Sequence, residues 1–252
     1  MIEAFLPDGV SAGFATLLVA VSFLTSGLTA AMGIGGGMLM LALMSYGLPI
    51  AALIPVHGAV QLGSNGGRLL IQRSHVAWGF LAVFAIGAAI GAVVGASLVI
   101  ELPEAWLTGI LGTFILLITW VPMPRLERLP RAGIATAGFA TTFATMFVGA
   151  TGPLNAALFS ASLKERHRLV ATLAALMTSQ HLFKVVAFAL AGFAFAAWLP
   201  LVGAMIATGF AGTWVGSHLL ARMPEKTFRI AIKVLLTLMA ADMLRRSLGA
   251  FF

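Results

Sequence analysis

Long apolar runs with almost no charge follow one another along the whole chain. Residues 76–100 and 198–220 are two of these runs, and each is long enough as a helix to cross a hydrocarbon core of ~30 Å. Ten-residue segments of alternating polarity, which are typical of a transmembrane β-barrel, do not occur in the sequence. The pattern therefore predicts an all-α, polytopic membrane protein.

Two further apolar segments are too long for one span and slightly short for two. As helices, residues 10–46 would extend about 55 Å and residues 131–162 about 48 Å. Each contains a glycine-rich break, GIGGGM at 33–38 and GATGPL at 149–154. We expect each segment to form two short helices or a re-entrant hairpin, with irregular backbone at membrane depth. Ordinary spans are expected near residues 50–71, 76–100, 105–121, 168–192, 198–220 and 227–247.

The two halves of the chain resemble each other. GAVVGASLVIELPEAW at 91–106 matches GTWVGSHLLARMPEKTF at 212–228 at an offset of 121, and the breaks align at an offset of 116, which places Gly33 on Gly149 and Gly36 on Gly152. Weak, collinear similarity of this kind is typical of transporter repeats. We therefore divide the chain into a first transmembrane repeat (1–122), a basic cytoplasmic linker (123–130) and a second transmembrane repeat (131–252).

Composition and charge agree with this picture. The chain is 60% hydrophobic and 9% charged, whereas a soluble domain is about one quarter charged. Its net charge of +7 lies mostly in connections between apolar runs, so the positive-inside rule explains it without nucleic acid. Because the N-terminus carries Glu3 and Asp8 but no basic residue, we expect a retained first helix rather than a cleaved signal peptide.

The charged connections also predict an orientation in a bacterial inner membrane. Basic connections are expected in the cytoplasm, and acidic or uncharged ones outside. Each half then makes an odd number of crossings, so that the repeats have inverted topology and the N-terminus is periplasmic. Arg245 and Arg246 would lie outside, against the rule. The connections assigned to the cytoplasm are 73–75, 125–131, 164–168 and 222–229, and those assigned outside are 47–49, 101–104 and 193–198.

The breaks are candidate anion sites because a helix N-terminus presents unpaired N–H groups and a partial positive charge. We expect the short helices to begin near Met38 and Pro153, with Thr151 as a cap. The alternative is that glycine only permits tight helix packing. We favour that alternative for the glycines spaced mostly by four, which are Gly87, Gly91, Gly95, Gly209, Gly212 and Gly216.

Polar side chains share faces of two later helices, and such groups normally face a bundle interior or cavity. Lys184 could contact substrate, couple protons or make a structural hydrogen bond. Arg68 could snorkel or contact substrate, His57 and His181 could titrate or only pack, and Asp242 is expected to pair with Arg246. The predicted substrate-binding residues are Gly35, Gly36, Gly37, His57, Gln61, Asn65, Thr151, Gly152, Asn155, His181 and Lys184.

The sequence lacks the residues and motifs that several classes of enzyme and pump require. The chain contains no cysteine and none of the motifs HExxH, GxSxG or GxxxxGK[ST]. Asp242 is the one carboxylate within a predicted span, which argues against a cation pump. We therefore expect no catalytic residue, metal or cofactor, and an anionic substrate.

The motifs also resemble a known family. TSGLTAAMGIGGGML at 25–39, GLPIAA at 47–52 and RSHVAW at 73–78, together with the duplicated GxxxGxxxxxxxPE, are similar to the sulfite exporter TauE/SafE family over essentially the whole chain. The resemblance implies secondary transport of small anions such as sulfite, thiosulfate, sulfonates or sulfoacetate, commonly outward. It supplies no site motif, so the candidate residues rest on physical argument.

The expected function is secondary transport, in the direction of export, of a small organosulfur or sulfite-type anion by alternating access. A passive anion channel would share the same lining and is the main alternative. A membrane-embedded enzyme or assembly factor is a weaker one, because a nucleophile and a metal cluster are missing. The expected partners are the anion and the lipid bilayer, with proton coupling and a homodimer left open.

Overall fold

The computed structural model describes residues 6–7, 9–32, 35–99, 102–122, 129–219 and 225–250. In this part of the chain, every regular element is helical, as predicted. The first half forms α1 (Ala12–Met32), α2 (Gly36–Met44), α3 (Ile50–Gln72), α4 (Trp78–Val99) and α5 (Glu104–Trp120). The second half forms α6 (Arg131–Val148), α7 (Gly152–Phe159), α8 (Arg166–Leu190), α9 (Leu199–Leu219) and α10 (Glu225–Gly249). Short 3₁₀ helices cover Arg73–His75 and Phe195–Trp198.

Both predicted breaks separate a long helix from a short one. Gly35 precedes α2 with φ 106° and Gly149 ends α6 with φ 74°, values that favour glycine. Gly36 lies against the backbone of Thr25, which is about 20 Å along α1 from Ala12 at 1.5 Å per residue. The first break is therefore well inside the bundle. Gly33 and Ile34, and residues 123–128 of the predicted linker, lie outside the described residues.

The halves interlock through two glycine seams. The first helix of each half packs against the fourth helix of the other, so that α1 lies on α9 and α6 lies on α4. A Cβ on Gly91 would collide with the backbone of Phe139, and one on Gly212 with the backbone of Phe23. These pairs are related by the offsets of the repeat. The packing interpretation of these glycines is confirmed. Other close pairs join α3 to α8, α5 to α10 and α4 to α8.

One end of the bundle holds the start of α1, the α2–α3 connection and the end of α10. The Phe14 ring lies against Gly47 and occupies the space that a side chain at this position would need. The Arg246 guanidinium donates a hydrogen bond of 3.0 Å to the carbonyl of Ser45 and lies 4.8 Å from the Tyr46 ring. Arg246 thus satisfies a carbonyl group at the C-terminus of α2, where the helix dipole favours a cation.

The residues just before α5 and just after α8 lie at the same end. They belong to the connections 101–104 and 193–198, which the charge pattern assigns to the outside together with 47–49. Ile50, Leu102, Glu104 and Phe193 line one cavity there. Arg245 and Arg246 both form ion pairs with Asp242, at 2.8 and 3.2 Å, as expected for Arg246. These ion pairs offset part of the basic charge that runs against the positive-inside rule.

The opposite end holds the basic connections at 73–75 and 164–168 and the residues that precede α6. The Leu129 amide donates to the Ser162 hydroxyl at 3.2 Å, and the rings of His75 and His167 are 5.9 Å apart. The start of α6, the end of α7 and the α3–α4 connection therefore meet there. In each broken segment, the start of the long helix thus lies close to the end of the short one, with Phe14 against Gly47 and Leu129 bonded to Ser162.

The outer surface is apolar. Leu24, Leu70, Ile86, Val93 and Leu190 are each more than 60% exposed, which suits a surrounding of lipid rather than water. Within the described residues, four stretches are long and apolar enough to cross a membrane. They are Ala12–Ala30, Trp78–Val99, His167–Leu190 and Phe195–Gly216.

Candidate anion-binding site

A cavity of about 290 Å³ lies where the two breaks meet. This volume is at the small end for ligand pockets and suits a compact molecule. Five helices contribute to its wall. The lining residues are Thr29 of α1, Gly35, Gly37 and Met38 at α2, His57, Gln61, Asn65 and Arg68 of α3, Ala150, Gly152, Pro153 and Ala156 at α7, and Leu169, Val170, Leu173, Ala174, Met177 and His181 of α8.

The N-termini of both short helices reach this cavity. Gly35 and Gly37 line it from α2, which has nine residues, and Gly152 and Pro153 line it from α7, which has eight. Amide groups in the first turn of a helix have no carbonyl partner one turn earlier, and the helix dipole adds partial positive charge. Two such ends therefore make one site that is favourable for an anion.

A polar wall runs along α3. His57, Gln61, Asn65 and Arg68 are spaced by four, four and three residues, so that they follow one face. The Nε2 atom of His57 lies 2.9 Å from the carbonyl oxygen of Gly37, which accepts and so requires the proton on Nε2. Arg68 donates to Asn65, whose Nδ2 donates to Gln61 Oε1 at 3.2 Å. These bonds fix α2 against α3 and hold the polar side chains in order.

His181 is the most exceptional polar group at the cavity. The side chain is fully buried, and neither ring nitrogen has a hydrogen-bond partner in the described part of the chain. Its ring meets His57 edge-on, with 6.1 Å between the centroids. Because buried polar atoms are nearly always hydrogen-bonded, an unpaired imidazole that lines a cavity indicates a place for a ligand.

The side of the cavity formed by α8 is otherwise apolar. Leu169, Val170, Leu173, Ala174 and Met177 recur at the three- and four-residue spacing of one helical face. No carboxylate side chain lines the cavity among the described residues. Among the described residues that line it, the site thus offers N–H donors and partial positive charge without a negatively charged side chain.

A buried network lies behind the α7 wall. Gln180 donates to the hydroxyl groups of Thr141 and Thr142 at 2.9 and 3.0 Å, and its Oε1 accepts from Asn155 at 2.8 Å. Thr151 occupies the N-cap position of α7, but its hydroxyl is directed to Gln180 at 3.5 Å and caps no amide. The expectation that the Thr151 side chain caps α7 was wrong, because the nearby glutamine competes for that hydroxyl.

Lys184 lies behind the break rather than in the cavity. Its ammonium group is fully buried and donates to Thr145 Oγ1 at 2.9 Å and to the carbonyl of Gly149 at 3.0 Å. Gly58 of α3 makes room for it, since a Cβ there would come within 2.8 Å of the lysine Cδ. Lys184 thus places its charge at the C-terminal end of α6, where carbonyl groups lack helical partners.

Comparison with known families decides the class of this protein. The model of the family described as sulfite exporter TauE/SafE matches residues 18–243 of the 252. The chain belongs to the sulfite exporter TauE/SafE family. No curated protein and no solved structure matches it. Membership of TauE/SafE, together with the apolar helices, makes the chain a multi-pass membrane transporter for sulfite-type anions.

The TauE/SafE structure brings together seven of the eleven predicted substrate-binding residues around one cavity. They are Gly35, Gly37, His57, Gln61, Asn65, Gly152 and His181. The other four lie next to it. Gly36 faces α1, where a Cβ would collide with Thr25, and Thr151, Asn155 and Lys184 belong to the buried contacts behind α7.

The list of predicted substrate-binding residues omits two parts of this candidate site. Arg68 lines the cavity, although its position near the end of α3 made snorkelling an equal alternative. The apolar face of α8 was not considered, and its residues at 169–170, 173–174 and 177 carried the signal, because they share a helical face with His181.

Proposed function

We propose that this TauE/SafE protein is a secondary transporter that exports a small organosulfur or sulfite-type anion by alternating access. The observation that carries the proposal is the convergence of two helix N-termini and the unpaired His181 on one cavity. A small oxyanion would accept hydrogen bonds from the free amides and from the imidazole. Export is the direction contained in the family description.

In this proposal, residues 1–122 and 131–252 are inverted repeats that meet at the binding site. The start of α1 and the end of α2 lie at one end of the bundle, whereas the start of α6 and the end of α7 lie at the other. The broken helices therefore approach the cavity from opposite ends, as expected of transporters that bind substrate between inverted repeats.

The proposed location is the inner membrane of a bacterium, with the basic end of the bundle in the cytoplasm. Arg73, Lys164 and Arg168 belong to that end and are exposed. The positive-inside rule then places the N-terminus and the α2–α3 connection in the periplasm.

Each residue has a separate role in the proposed site. The amides of Gly37 and Gly152 and the ring of His181 donate to the anion. Gln61 and Asn65 orient Arg68, and His57 fixes the carbonyl of Gly37 and so the start of α2. Lys184 and Asn155 position α7 from behind.

The proposal is tested with purified protein in liposomes. Uptake of labelled sulfite should saturate, and excess unlabelled sulfite inside the vesicles should accelerate exchange, because a carrier exposes its site to one side at a time. The membrane current at matched sulfite concentrations should stay small. An ohmic sulfite conductance without exchange would instead identify the protein as a passive anion channel.

A further inference from the structure

A second cavity lies between the same two long helices as the anion-binding cavity. It has a volume of about 310 Å³, and Ile50 and Ile54 of α3 and Phe188 and Ala191 at the end of α8 line part of it. On α3, the anion-binding cavity begins only at His57 and continues toward the basic end of the bundle. The second cavity therefore occupies the opposite end of the α3–α8 pair, which the proposed orientation places in the periplasm.

The two cavities lie in line, because their lining residues share one face of each helix. On α3 this face carries Ile50 and Ile54 of the second cavity and then His57 and Gln61 of the first, separated by four, three and four residues. On α8, steps of four, three, four and three residues join Met177, His181, Lys184, Phe188 and Ala191. Of these five, Lys184 lines neither cavity and lies between the two.

The barrier between the cavities is thin along α3. Pro55 lines the second cavity and His57 lines the anion-binding cavity, so that only Val56 separates them on this helix. Pro55 has no amide proton, and the carbonyl of Ala51 therefore lacks its usual helical partner. Sharp bends in helices occur at such residues, so α3 has a natural bending point at the barrier.

Lys184 closes the barrier from the side of α8. Along this helix, His181 and Phe188 are about 10 Å apart at 1.5 Å per residue. The lysine side chain leaves α8 between them and passes Gly58 of α3, where a Cβ would come within 2.8 Å of its Cδ. It ends on the carbonyl of Gly149 at the second break. An anion cannot pass from one cavity to the other while this side chain crosses the seam.

The second cavity is suited to release an anion rather than to hold it. Its described lining contains no lysine, arginine or histidine, and it includes the exposed carboxylate of Glu104 in the first turn of α5. A carboxylate repels a nearby anion. An anion that crosses the barrier is therefore bound weakly there, as a passage to the outside requires.

We propose that the second cavity is the outer vestibule of the transport path, and that Lys184 is the gate between this vestibule and the anion-binding cavity. This inference rests on the proposed function. An anion beside His181 reaches the vestibule only when the Lys184 side chain leaves the seam. Because α3 and α8 belong to different halves of the chain, a movement of one half against the other opens or closes the gate.

The first test is chemical modification of the vestibule. Ala51→Cys introduces a single cysteine into a chain that has none, and the purified variant is reacted with a positively charged methanethiosulfonate reagent before reconstitution. Sulfite exchange in liposomes should be lost after the reaction, because the added group fills the passage. Ala196→Cys is the control, since Ala196 is exposed at the same end but does not line the cavity. Exchange that survives full modification at position 51, or equal loss in both variants, would overturn the inference.

A matched pair at position 184 tests the gate itself. Lys184→Ala removes the side chain beyond Cβ and joins the two cavities, so an ohmic sulfite current several times that of the wild type should appear. Lys184→Met also lacks the ammonium group but keeps a long side chain in the seam, so its current should stay small. Equal currents in the two variants, both reconstituted as folded protein, would show that Lys184 is not the gate.

The two proposals fail in different ways. If the untreated protein exchanges sulfite and modification at position 51 leaves that exchange intact, the transporter stands and the vestibule falls. If the wild-type protein does not exchange sulfite at all, the proposed function itself falls. Where Lys184→Ala does not fold, the result at position 51 decides alone.

Discussion

His181 and Lys184 lie one turn apart on α8, and both side chains are fully buried. Their surroundings differ in the respect that matters for binding. Lys184 already donates to two oxygen atoms of α6 and the following break, whereas both nitrogens of His181 lack a partner in the described part of the chain. We therefore expect His181 to contact the anion directly. Lys184 should act indirectly, by holding the backbone at Gly149.

Replacing His181 with Ala should weaken anion binding by about tenfold or more, because a hydrogen bond to a charged group is worth about 1.5–3 kcal/mol. The thermal stability should change little, since no internal hydrogen bond of the ring is lost. Anion titration followed by a thermal melt measures both. His75→Ala, on an exposed ring outside the cavity, is the control. Unchanged affinity in His181→Ala would remove the residue from the site.

Replacing Lys184 with Met should lower the melting temperature as well as the affinity. Thr145 Oγ1 would lose its buried donor, and the carbonyl of Gly149 would keep only the Thr145 hydroxyl, which donates to it at 2.9 Å. An unpaired buried acceptor costs about 1–3 kcal/mol. Lys233→Met is the control, because that ammonium group lies on the surface over Trp120. A variant that binds anion weakly but melts like the wild type would instead assign Lys184 to direct substrate contact.

At the scale of helices, backbone contact between paired helices depends on glycine. Gly212 of α9 allows the backbone of Phe23 in α1 to approach, and backbone atoms cannot move aside as a flexible side chain can. Gly203 lies on the same helix, but a Cβ there would meet nothing within 4 Å. Alanine substitutions at the two glycines therefore distinguish the effect of close helix packing, present only at Gly212, from the effect of helix propensity, present at both.

Gly212→Ala should lower the melting temperature by several degrees, because the seam between α1 and α9 must open. Gly203→Ala should leave it unchanged or raise it, since alanine is favoured over glycine in a helix by about 0.5–1 kcal/mol. Thermal melts of the two variants in the same detergent make the comparison. Equal melting temperatures would contradict the close packing described for Gly212.

At the scale of the whole molecule, the connections form two groups at opposite ends. Ser74 and Lys164 are exposed with the basic group, and Ala196 and Ala250 are exposed with the group at the end of α10. The chain contains no cysteine, so a single introduced cysteine reports its own position without background.

Cysteines at Ala196 and Ala250 should react with an impermeant thiol reagent in intact cells. Cysteines at Ser74 and Lys164 should react only after the membrane is opened, because the positive-inside rule places the basic end in the cytoplasm. The contact between Arg246 and Ser45 places Ala250 at the end of the bundle opposite to Ser74. Labelling of both Ala250 and Ser74 from the same side of the membrane would contradict that contact. The reverse labelling of all four would reject the proposed orientation.

The helix order could be predicted from the sequence because hydrophobic length and glycine breaks are local properties. The predicted spans differ from α3, α4, α5, α8, α9 and α10 by only a few residues at each boundary. The site was predictable in part for the same reason. His57, Gln61 and Asn65 share a face because of their spacing, whatever packs against them.

The position of Lys184 could not be predicted in this way. A deep lysine in an apolar helix indicates a partner without naming it, and an anion or a helix C-terminus satisfies the charge equally well. The carbonyl of Gly149 decides between them only when α6 and α8 are packed together. Thr151 is a similar case, since Gln180 is 29 residues away in the chain.

The sequence by itself determined the membrane class, the family and the two breaks, because each depends on composition, spacing or local backbone freedom. The tertiary structure alone decided that both breaks reach one cavity and that α8 gives it an apolar wall. It also decided that the α4–α6 and α1–α9 seams interlock the halves. These features depend on contacts between residues far apart in the chain, which no local pattern specifies.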